Sequence, residues 1–454
     1  MPARARMSAG TTAARLDALR RGELAGIREL RLPGGPDGRL TEMPPEILGL
    51  ADSLELLDLG GHALTDLPAG FGRMRRLRIL FCSGNRFTRL PPVLGDCPAL
   101  SQVGFRATGL VEVPAESLPP ALRWLTLTDN RIAALPRALG ERPRLQKLML
   151  AGNRLDALPE SLSGAENLEL LRIAANGFAA LPGCVAALPR LAWLSWAGNP
   201  FEDRAAPAPA ASETIAWDDL SVGPLLGEGA SGRVMRAAWR PGAAGTARPV
   251  ALKLFKDAMT SDGLPEREMA ACLAAGAHPH LTGSLGRLAD HPDGRQGLLM
   301  PLLPQGWRVL AGPPSLESCS RDVYDPDLRL TRGSALRLAR GVAAGAAHLH
   351  ARGFGHGDLY AHNVLWDGRD GAAVLSDLGA ASALPPGREG AILQRLDVRA
   401  FGLLLDELGR HAPLAGTALA GLVAACTGPD PAARPAMAEV RDALDAIIAG
   451  PGPG

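Results

Sequence analysis

Three glycines at a fixed spacing open the part of the sequence that could carry chemistry. Gly227, Gly229 and Gly232 form a G-x-G-x-x-G pattern, and Val234 follows it. Because glycine has no side chain, such a hairpin can lie close over phosphate groups and donate its backbone N–H groups to them. Dinucleotide-binding folds use the same pattern, but no acidic strand end follows here about 20 residues later. The pattern indicates a phosphate-binding loop and by itself leaves the class of protein open.

A lysine lies inside the apolar run VALKLF, which follows the glycines. Lys253 is therefore expected to be partly buried and to need a carboxylate partner. Glu266 and Glu268 lie in the next helical segment. They are two positions apart, which is about 200° around a helix, so only one of them can face the lysine. At this point both glutamates remain open.

Four further motifs follow in order, and with the glycine loop and the lysine they resemble the protein-kinase family. They are HGDLYAHN from His356, SDLG around Asp377, DVRAFG from Asp397 and DPAARP from Asp430. The resemblance covers residues from about 217 to 448. It implies a phosphotransferase that uses ATP and Mg²⁺ as cofactors.

The resemblance also implies a role for each motif residue. Lys253 would grip the α- and β-phosphates and pair with Glu268, which lies at the usual distance before a His-Pro pair. Asp358 would accept or orient the proton of the attacking hydroxyl group. Asn363 and Asp377 would hold Mg²⁺. The aspartate of DVRAFG typically ties down the backbone of the catalytic loop.

The nucleotide would be held by the glycine loop, its flanking strands and the hinge. By the same resemblance, Met300 would be the gatekeeper, and the adenine would lie between Val234 and Ala251 on one face and Leu365 on the other. An ordinary core role explains these apolar residues equally well. The cofactor-binding residues implied are Leu226, Gly227, Glu228, Gly229, Ala230, Ser231, Gly232, Val234, Ala251, Lys253, Met300 and Leu365.

The catalytic motif departs from the family at several positions. Gly357 stands where the usual arginine precedes the aspartate, and Tyr360 stands where lysine is usual. His362 or Tyr360 would then have to provide the missing phosphate contact, so His362 is counted among the catalytic residues. No A-P-E motif is present, and only 18 positions separate residue 379 from residue 397. Arg434 therefore lacks its usual glutamate, for which Glu389 is a weak substitute.

Two other activities fit the same motifs. Small-molecule phosphotransferases of the aminoglycoside type share H-G-D-x-x-x-x-N, but they usually lack the glycine that is present here as Gly379. A pseudokinase scaffold is the other alternative, and the retained Lys253, Asp358, Asn363 and Asp377 count against it. A protein kinase is expected, with serine/threonine specificity as the commoner class.

The first half of the sequence repeats with a period of 23 residues and one interval of 22. The Leu-Pro or Val-Pro pairs begin at Leu67, Leu90, Val113, Leu135, Leu158 and Leu181. The unit that begins at Leu145 matches L-x-x-L-x-L-x-x-N-x-L, and residues 27–201 resemble leucine-rich repeats. One repeat cannot bury its own apolar face, so the stack must be continuous.

A second column, mostly asparagine, lies where each repeat turns. Asn85, Asn130, Asn153, Asn176 and Asn199 share this position. An inward amide there can satisfy backbone groups of neighbouring turns that would otherwise be buried unpaired. His62 and Thr108 depart from asparagine, so we expect a weaker ladder at these two turns.

Apolar side chains also occur between the inward leucines, where they would face the concave surface. These are Ile79, Phe81, Trp124, Met149 and Trp193. They have no core to enter from that position, and exposed apolar clusters indicate a protein partner. The alternative is that this stripe packs against the second domain of the same chain.

Charge and composition point away from nucleic acid and membranes. The chain of 454 residues has 48 Lys plus Arg against 47 Asp plus Glu, so its net charge is +1. No run reaches the roughly 18 apolar residues of a membrane span. The basic N-terminus lacks the apolar region of a secretory signal. A cytoplasmic location is expected.

Neither the cysteines nor the histidines indicate a metal site or a disulfide framework. The six cysteines are dispersed without a CxxC pair, which is typical of buried free thiols in a reducing compartment. Four histidines cluster near the catalytic motif. His348 and His350 would point to different sides of a helix, which disfavours a shared metal.

The expected fold class is an α/β leucine-rich-repeat solenoid plus an α+β two-lobed protein-kinase-like domain. The combination resembles a leucine-rich-repeat protein kinase of bacterial type, whose repeats would bind a protein partner or regulate the kinase. The predicted organisation is an N-terminal helical cap at 1–26, the solenoid at 27–201, a Pro/Ala linker at 202–214, the kinase-like domain at 215–448 and a flexible tail at 449–454.

Overall fold

The computed structural model describes residues 11–35, 38–203, 213–229, 231–242, 245–256, 259–260, 262–414 and 417–450. The chain divides into two compact units. The first comprises residues 1–168, 176–178 and 182–188, and the second comprises 169–175, 179–181 and 189–454. Several predicted segments lie partly outside the described residues. They are 1–10 of the cap, 204–212 of the linker, Ala230 of the glycine loop and 451–454 of the tail.

The first unit is built from short parallel strands that recur with the sequence period. Six strands pair in chain order, and the central residue of each is buried. They are β1 (Glu29–Arg31), β2 (Leu56–Asp58), β3 (Ile79–Phe81), β4 (Gln102–Gly104), β5 (Trp124–Thr126) and β6 (Lys147–Met149). The 3₁₀ turns on the opposite side are Pro45–Leu50, Ala69–Arg73, Pro92–Leu94, Ala115–Ser117, Arg137–Leu139, Glu160–Gly164 and Gly183–Ala187. This arrangement confirms the predicted solenoid.

The N-terminal helix is shorter than the helix from Thr12 to Gly26 that the sequence predicts. Helix α1 spans Thr12–Arg20, and the Thr11 hydroxyl caps it by accepting the N–H of Ala14 at 3.3 Å. After it, Gly22 and Gly26 have φ values of +72° and +79°. This left-handed backbone cannot continue a right-handed helix, so the helix ends before residue 26.

The asparagine column forms the predicted ladder. Asn130 is buried, and its Nδ2 donates to two backbone carbonyl groups at 2.8 and 2.9 Å. Its Oδ1 accepts from three successive N–H groups, those of Thr108, Gly109 and Leu110, at 3.1, 2.9 and 3.0 Å. Asn85 and Asn153 bond in the same way to carbonyl and N–H groups of adjoining turns.

Of the two exceptions to asparagine, His62 bridges two backbone groups, whereas the Thr108 hydroxyl does not. The His62 Nδ1 accepts the N–H of Leu40 at 3.2 Å, and its Nε2–H donates to the carbonyl of Leu32 at 2.7 Å. The Thr108 hydroxyl lies 3.0 Å from Asn130 Oδ1 and 3.3 Å from the carbonyl oxygen of Phe105, and its one hydrogen can be donated to only one of them. An imidazole thus supplies one donor and one acceptor, as an amide does, whereas a hydroxyl reaches fewer groups.

The second unit contains the last two repeat strands and two lobes. Strands β7 and β8 are parallel, with Leu171 opposite Leu194. A six-stranded sheet with the order β10-β11-β12-β14-β13-β9 forms one lobe. Helix α3 belongs to the same lobe, since its Glu268 pairs with Lys253 of β12. The bounds are β7 (Leu170–Arg172), β8 (Trp193–Ser195), α2 (Pro200–Asp203), β9 (Thr214–Ala216), β10 (Leu220–Glu228), β11 (Gly232–Trp239), β12 (Arg248–Phe255), α3 (Pro265–Ala275), β13 (Gly286–Ala289) and β14 (Gly297–Pro301).

The other lobe is mainly helical. Helix α4 packs against α5 and α7, while β15, β17 and β18 form a small sheet and β16 pairs with β19. The bounds are β15 (Arg308–Val309), α4 (Arg332–Ala351), β16 (Phe354–Gly355), β17 (Val364–Trp366), β18 (Ala373–Leu375), β19 (Ser382–Ala383), α5 (Arg388–His411), α6 (Thr417–Thr427) and α7 (Met437–Ala449). Among the described residues, no helix is both long and apolar enough to cross a membrane.

Replacing Asn130 by alanine should destabilise the repeat region. The change leaves the N–H groups of Thr108, Gly109 and Leu110 and two carbonyl groups without the amide, so we expect a loss of about 2 kcal/mol in the free energy of unfolding. Urea unfolding followed by circular dichroism measures it. The exposed Arg131→Ala variant of the next residue is the control, and equal stability of the two variants would contradict the ladder's role.

Candidate active site

The predicted lysine and glutamate form an ion pair in the second unit. Lys253 lies on β12 opposite Leu298 of β14, and its Nζ contacts Glu268 Oε1. The Glu268 side chain is only 2% exposed, whereas Glu266 is exposed. Burial alone would lower the pKa of Lys253, but the carboxylates of Glu268 and Asp377 outweigh it and raise the pKa. Of the two glutamates that the sequence offered, Glu268 is the partner.

Asp397 on α5 fixes the backbone of the loop that carries Asp358. Its carboxylate is buried and accepts the N–H groups of His356 and Gly357 at 2.7 and 2.9 Å. His350 Nε2 donates to the same carboxylate at 2.8 Å. Burial would raise the pKa of Asp397, but the hydrogen bond from His350 and the nearby histidines hold it below its ordinary value. The anchoring role implied by the DVRAFG motif is therefore present.

Asn363 and Asp377, the predicted Mg²⁺ ligands, are tied to each other through the backbone. Ser376 donates both its N–H and its hydroxyl to the carbonyl of Asn363, at 2.8 and 2.9 Å. Asn363 Nδ2 donates to Asp358 Oδ2 and to the Asp358 carbonyl, both at 2.8 Å. The amide oxygen of Asn363 and the carboxylate of Asp377 are the kinds of oxygen ligand that Mg²⁺ prefers.

The backbone at Asp377 is in an unusual conformation, and Gly379 fits the space beside it. Asp377 has φ +57°, and its Oδ1 accepts the N–H of Gly379 at 3.1 Å. A Cβ at position 379 would lie 3.0 Å from Asp377 Oδ1 and 3.7 Å from Glu268 Oε2. The glycine therefore allows the aspartate and the Lys253–Glu268 pair to lie close together.

The glycine loop is the hairpin between β10 and β11. The N–H of Gly229 donates to the carbonyl of Gly232 at 2.9 Å, and Lys256 Nζ donates to the carbonyl of Gly229 at 2.9 Å. Leu226 is 51% exposed, and Glu228 pairs with Lys256 at 2.8 Å. Antiparallel pairing of the two strands thus places a hairpin at the glycine pattern, and its role in binding phosphate remains a prediction.

The predicted adenine-contacting residues lie on adjoining strands. Val234 of β11 is opposite Lys253, and Ala251 of β12 is opposite Met300 of β14. Leu365 lies on β17 in the other lobe, directly after Asn363 and Val364 of the catalytic loop. Val234, Met300 and Leu365 are half-buried, and Ala251 is buried.

His362 lies beside Asp358 but is not bonded to it. Its Nδ1 donates to Asp322 Oδ1 at 2.7 Å, and its Nε2 lies 4.0 Å from Asp358 Oδ2. Burial would lower the pKa of His362, but the hydrogen bond to Asp322 and the charge of Asp358 raise it above its ordinary value. The four clustered histidines bond to separate partners, and among the described residues no group of three or more His, Cys, Asp or Glu could hold a metal ion.

Arg172 of β7 reaches the catalytic loop, and the sequence did not single it out. Its guanidinium donates to the carbonyl of Gly357 at 2.8 Å, pairs with Asp358 Oδ1 and pairs with Asp262 Oδ1 at 2.8 Å. Its side chain is 3% exposed. Burial would raise the pKa of Asp358, but Arg172 and then His362 outweigh it and lower the pKa. The only sequence signal was an arginine in the concave-facing column of a chain whose catalytic loop lacks arginine and lysine.

Trp193 of β8 is also part of this site. Its ring stacks on Tyr360 with centroids 4.1 Å apart and planes at 7°, and its indole N–H donates to the carbonyl of Leu359 at 3.0 Å. The guanidinium of Arg321 lies 5.1 Å from the Trp193 ring. Since Trp193 is 2% exposed, the expectation that it has no core to enter is wrong. In the first unit, Phe81, Trp124 and Met149 are half-buried.

Arg434 has backbone partners in place of a carboxylate. Its guanidinium donates to the carbonyl groups of Gly428, Arg395 and Pro189 at 2.8, 3.0 and 3.3 Å. The substitute that the sequence offered, Glu389, is exposed. Carbonyl oxygens thus take the place of the missing acidic partner.

Comparison with known proteins agrees with both halves of this description. Residues 220–390 match the family of protein tyrosine and serine/threonine kinases, and residues 120–178 match the leucine-rich repeat family. Podocan from Mus musculus is 34% identical over 125 residues, which cover 26% of this chain and 19% of podocan. The chain thus spans about a fifth of the length of that relative.

A protein kinase domain and a leucine-rich repeat region are therefore combined in one chain. This confirms the predicted fold class, and the kinase match supports the predicted class of enzyme. The domain boundaries and the bacterial type remain predictions.

The Asp397→Asn variant should loosen the catalytic loop. The asparagine side chain keeps one acceptor oxygen, but its NH₂ group replaces the second oxygen and then faces a group that also donates. We therefore expect a loss of about 2 kcal/mol in the free energy of unfolding. Urea unfolding measures it, with the exposed Asp293→Asn variant as the control. If the Asp397→Asn variant were as stable as this control, the anchoring role of Asp397 would be wrong.

Proposed function

We propose that the protein is an ATP- and Mg²⁺-dependent protein kinase that phosphorylates serine or threonine. The observation that carries this proposal is the grouping of one lysine, one paired glutamate and three oxygen-bearing side chains in the second unit. Lys253 is paired with Glu268, Asp377 lies beside this pair, and Asn363 links Asp377 to Asp358.

Each of these side chains has a role in the proposed reaction. Lys253, oriented by Glu268, would bind the α- and β-phosphates of ATP. Asn363 and Asp377 would hold Mg²⁺, which neutralises the charge that develops on the transferred phosphoryl group. Asp358 would orient the acceptor hydroxyl and take its proton. His362 would supply a second positive charge close to Asp358.

The nucleotide would lie between the glycine hairpin and the Leu365 strand. The hairpin residues Gly227, Gly229 and Gly232 would let backbone N–H groups approach the phosphates. The half-buried Val234 and Leu365 would provide apolar surfaces for the two faces of the adenine. The remaining residues of this proposed site are Leu226, Glu228, Ala230, Ser231, Ala251 and Met300.

The repeats would regulate the kinase, and their concave surface would bind a protein. Support for regulation comes from the side chains of β7 and β8 that contact the catalytic loop in the second unit. Support for binding comes from the half-buried Phe81, Trp124 and Met149 of the first unit. A cytoplasmic location would fit these roles.

Lys253→Met and Asp377→Ala should each abolish phosphoryl transfer and leave the fold intact. Both remove charge stabilisation of the phosphates, which is typically worth several kcal/mol of the barrier. Transfer from radiolabelled ATP to the chain itself, to casein and to an aminoglycoside, with and without Mg²⁺, measures this.

The exposed Asp370→Ala variant is the control for Asp377→Ala. Undiminished transfer in either Lys253→Met or Asp377→Ala would overturn the proposal. Transfer to the aminoglycoside alone would favour a small-molecule phosphotransferase, and ATP binding with no transfer would favour a pseudokinase.

The Ser382→Ala variant should keep nearly full activity. Ser382 is the only hydroxyl residue between residues 380 and 396, and it is fully buried, with its Oγ donating to Ala380 and accepting from the N–H of Trp196. A phosphate on this buried side chain would have no space, which supports the proposal that Ser382 does not regulate the kinase. Initial rates with ATP measure this. An inactive Ser382→Ala variant that Ser382→Asp restores would show that the segment is switched by phosphorylation.

A further inference from the structure

We propose that Arg172 is a positioning residue for phosphoryl transfer, a cation that a repeat strand supplies to orient Asp358. The inference rests on the proposed function. It adds to that function a residue that lies outside the part of the chain that matches the kinase family, 220–390.

The catalytic loop carries no strong cation of its own. In the sequence from residue 356 to residue 363, the position before Asp358 is Gly357, and the position two after it is Tyr360. The basic side chains of that loop are two imidazoles: His356, whose Nδ1 accepts the N–H of Asp358 at 3.2 Å, and His362, whose Nε2 lies 4.0 Å from Asp358 Oδ2 and whose Nδ1 is bonded to Asp322. Arg172 is therefore the one permanently charged group that contacts Asp358 among the described residues.

The geometry of Arg172 fits a residue that orients the Asp358 carboxylate. Its rigid guanidinium bonds at once to the Gly357 carbonyl and to the neighbouring Asp358 carboxylate, so the backbone and side chain of the loop are held by one plane of atoms. Asp262 takes the remaining side of the guanidinium at 2.8 Å. A buried ion pair contributes little net stability after desolvation, whereas it can fix an arrangement.

Packing explains why the loop itself has a glycine next to Asp358. Gly357 has φ +71°, and a Cβ there would lie 2.8 Å from the carbonyl oxygen of Ala380 and closer still to that of Leu194 on β8. A side chain at position 357 is thus excluded by the backbone of a repeat strand. The strand beside β8 carries Arg172, so the same repeats that exclude a side chain from the loop supply a cation to it.

The contact leaves Asp358 able to accept a proton. A carboxylate has about four acceptor sites. Arg172 uses one on Oδ1 and Asn363 uses one on Oδ2, and the Asp358 side chain remains 15% exposed. An acceptor hydroxyl can therefore reach the carboxylate while Arg172 stays in place, which favours positioning over masking.

The test compares Arg172→Met, Arg172→Lys and Arg154→Met in the full-length chain. Arg154 is an exposed arginine of the repeats and serves as the matched control. The rate of ADP formation at varied ATP, with and without casein, gives kcat and KM, and thermal unfolding checks the fold. Arg172→Met should lower kcat about 10²-fold, the scale for a misplaced catalytic group, with KM for ATP unchanged. The contacts of Arg172 within the described part of the chain are with Gly357, Asp358 and Asp262, none of which is predicted to bind ATP, so ATP binding should not change.

The conservative variant separates positioning from a structural role. Arg172→Lys keeps the charge and loses the fork of donors, so its kcat should recover about tenfold relative to Arg172→Met. It also carries the test if Arg172→Met does not fold. An increase in kcat in either variant would mean that Arg172 masks Asp358. A loss of kcat that parallels a loss of thermal stability, with no recovery in Arg172→Lys, would mean that Arg172 has a structural role. Either result would overturn the inference. If the wild-type chain forms no ADP, the proposed function fails as well, whereas an active wild type with unchanged Arg172 variants overturns the inference alone.

Discussion

A carboxylate that is largely removed from water needs partners for its charge, and the second unit is arranged to provide them for Asp358, whose side chain is 15% exposed. Arg172 pairs with Oδ1 of Asp358 and Asn363 donates to its Oδ2. Asp397 accepts the backbone N–H of His356, just before Asp358 in the chain. Without such partners, burial would favour the neutral acid, which cannot accept a proton. The positions of Asn363 and, through Ser376, of Asp377 depend on the same loop.

Strands β7 and β8 belong to the repeats and also contact the loop that carries Asp358. Both strands follow the leucine-rich period, so their central leucines are buried as in the other repeats. The residues beside those leucines, Arg172 and Trp193, instead contact the catalytic loop. A period that forms a surface in the other repeats forms part of the candidate active site in these two strands, because side chains of a strand alternate between its two faces.

Local patterns allowed much of the fold and site to be predicted from the sequence. The leucine columns and the asparagine ladder repeat at a fixed interval, and the Lys253–Glu268 pair follows from motif spacing. Arg172 and Trp193 could not be placed in this way. Arg172 lies 186 positions before Asp358, and no local pattern specifies which surface covers a concave strand. The packing of β8 against Gly357 could not be predicted either, because it brings together two backbone segments that are distant in the sequence.

The central claim is that Arg172 and Asp358 are energetically coupled. A double-mutant cycle with Arg172→Met and Asp358→Asn, read as free energies of urea unfolding, measures that coupling most directly. Residues in direct contact typically show interaction energies of 0.5–3 kcal/mol, and we expect about 2 kcal/mol for this buried pair. The same cycle with Arg154→Met should give additive changes. Additivity within about 0.3 kcal/mol for Arg172 and Asp358 would contradict the account.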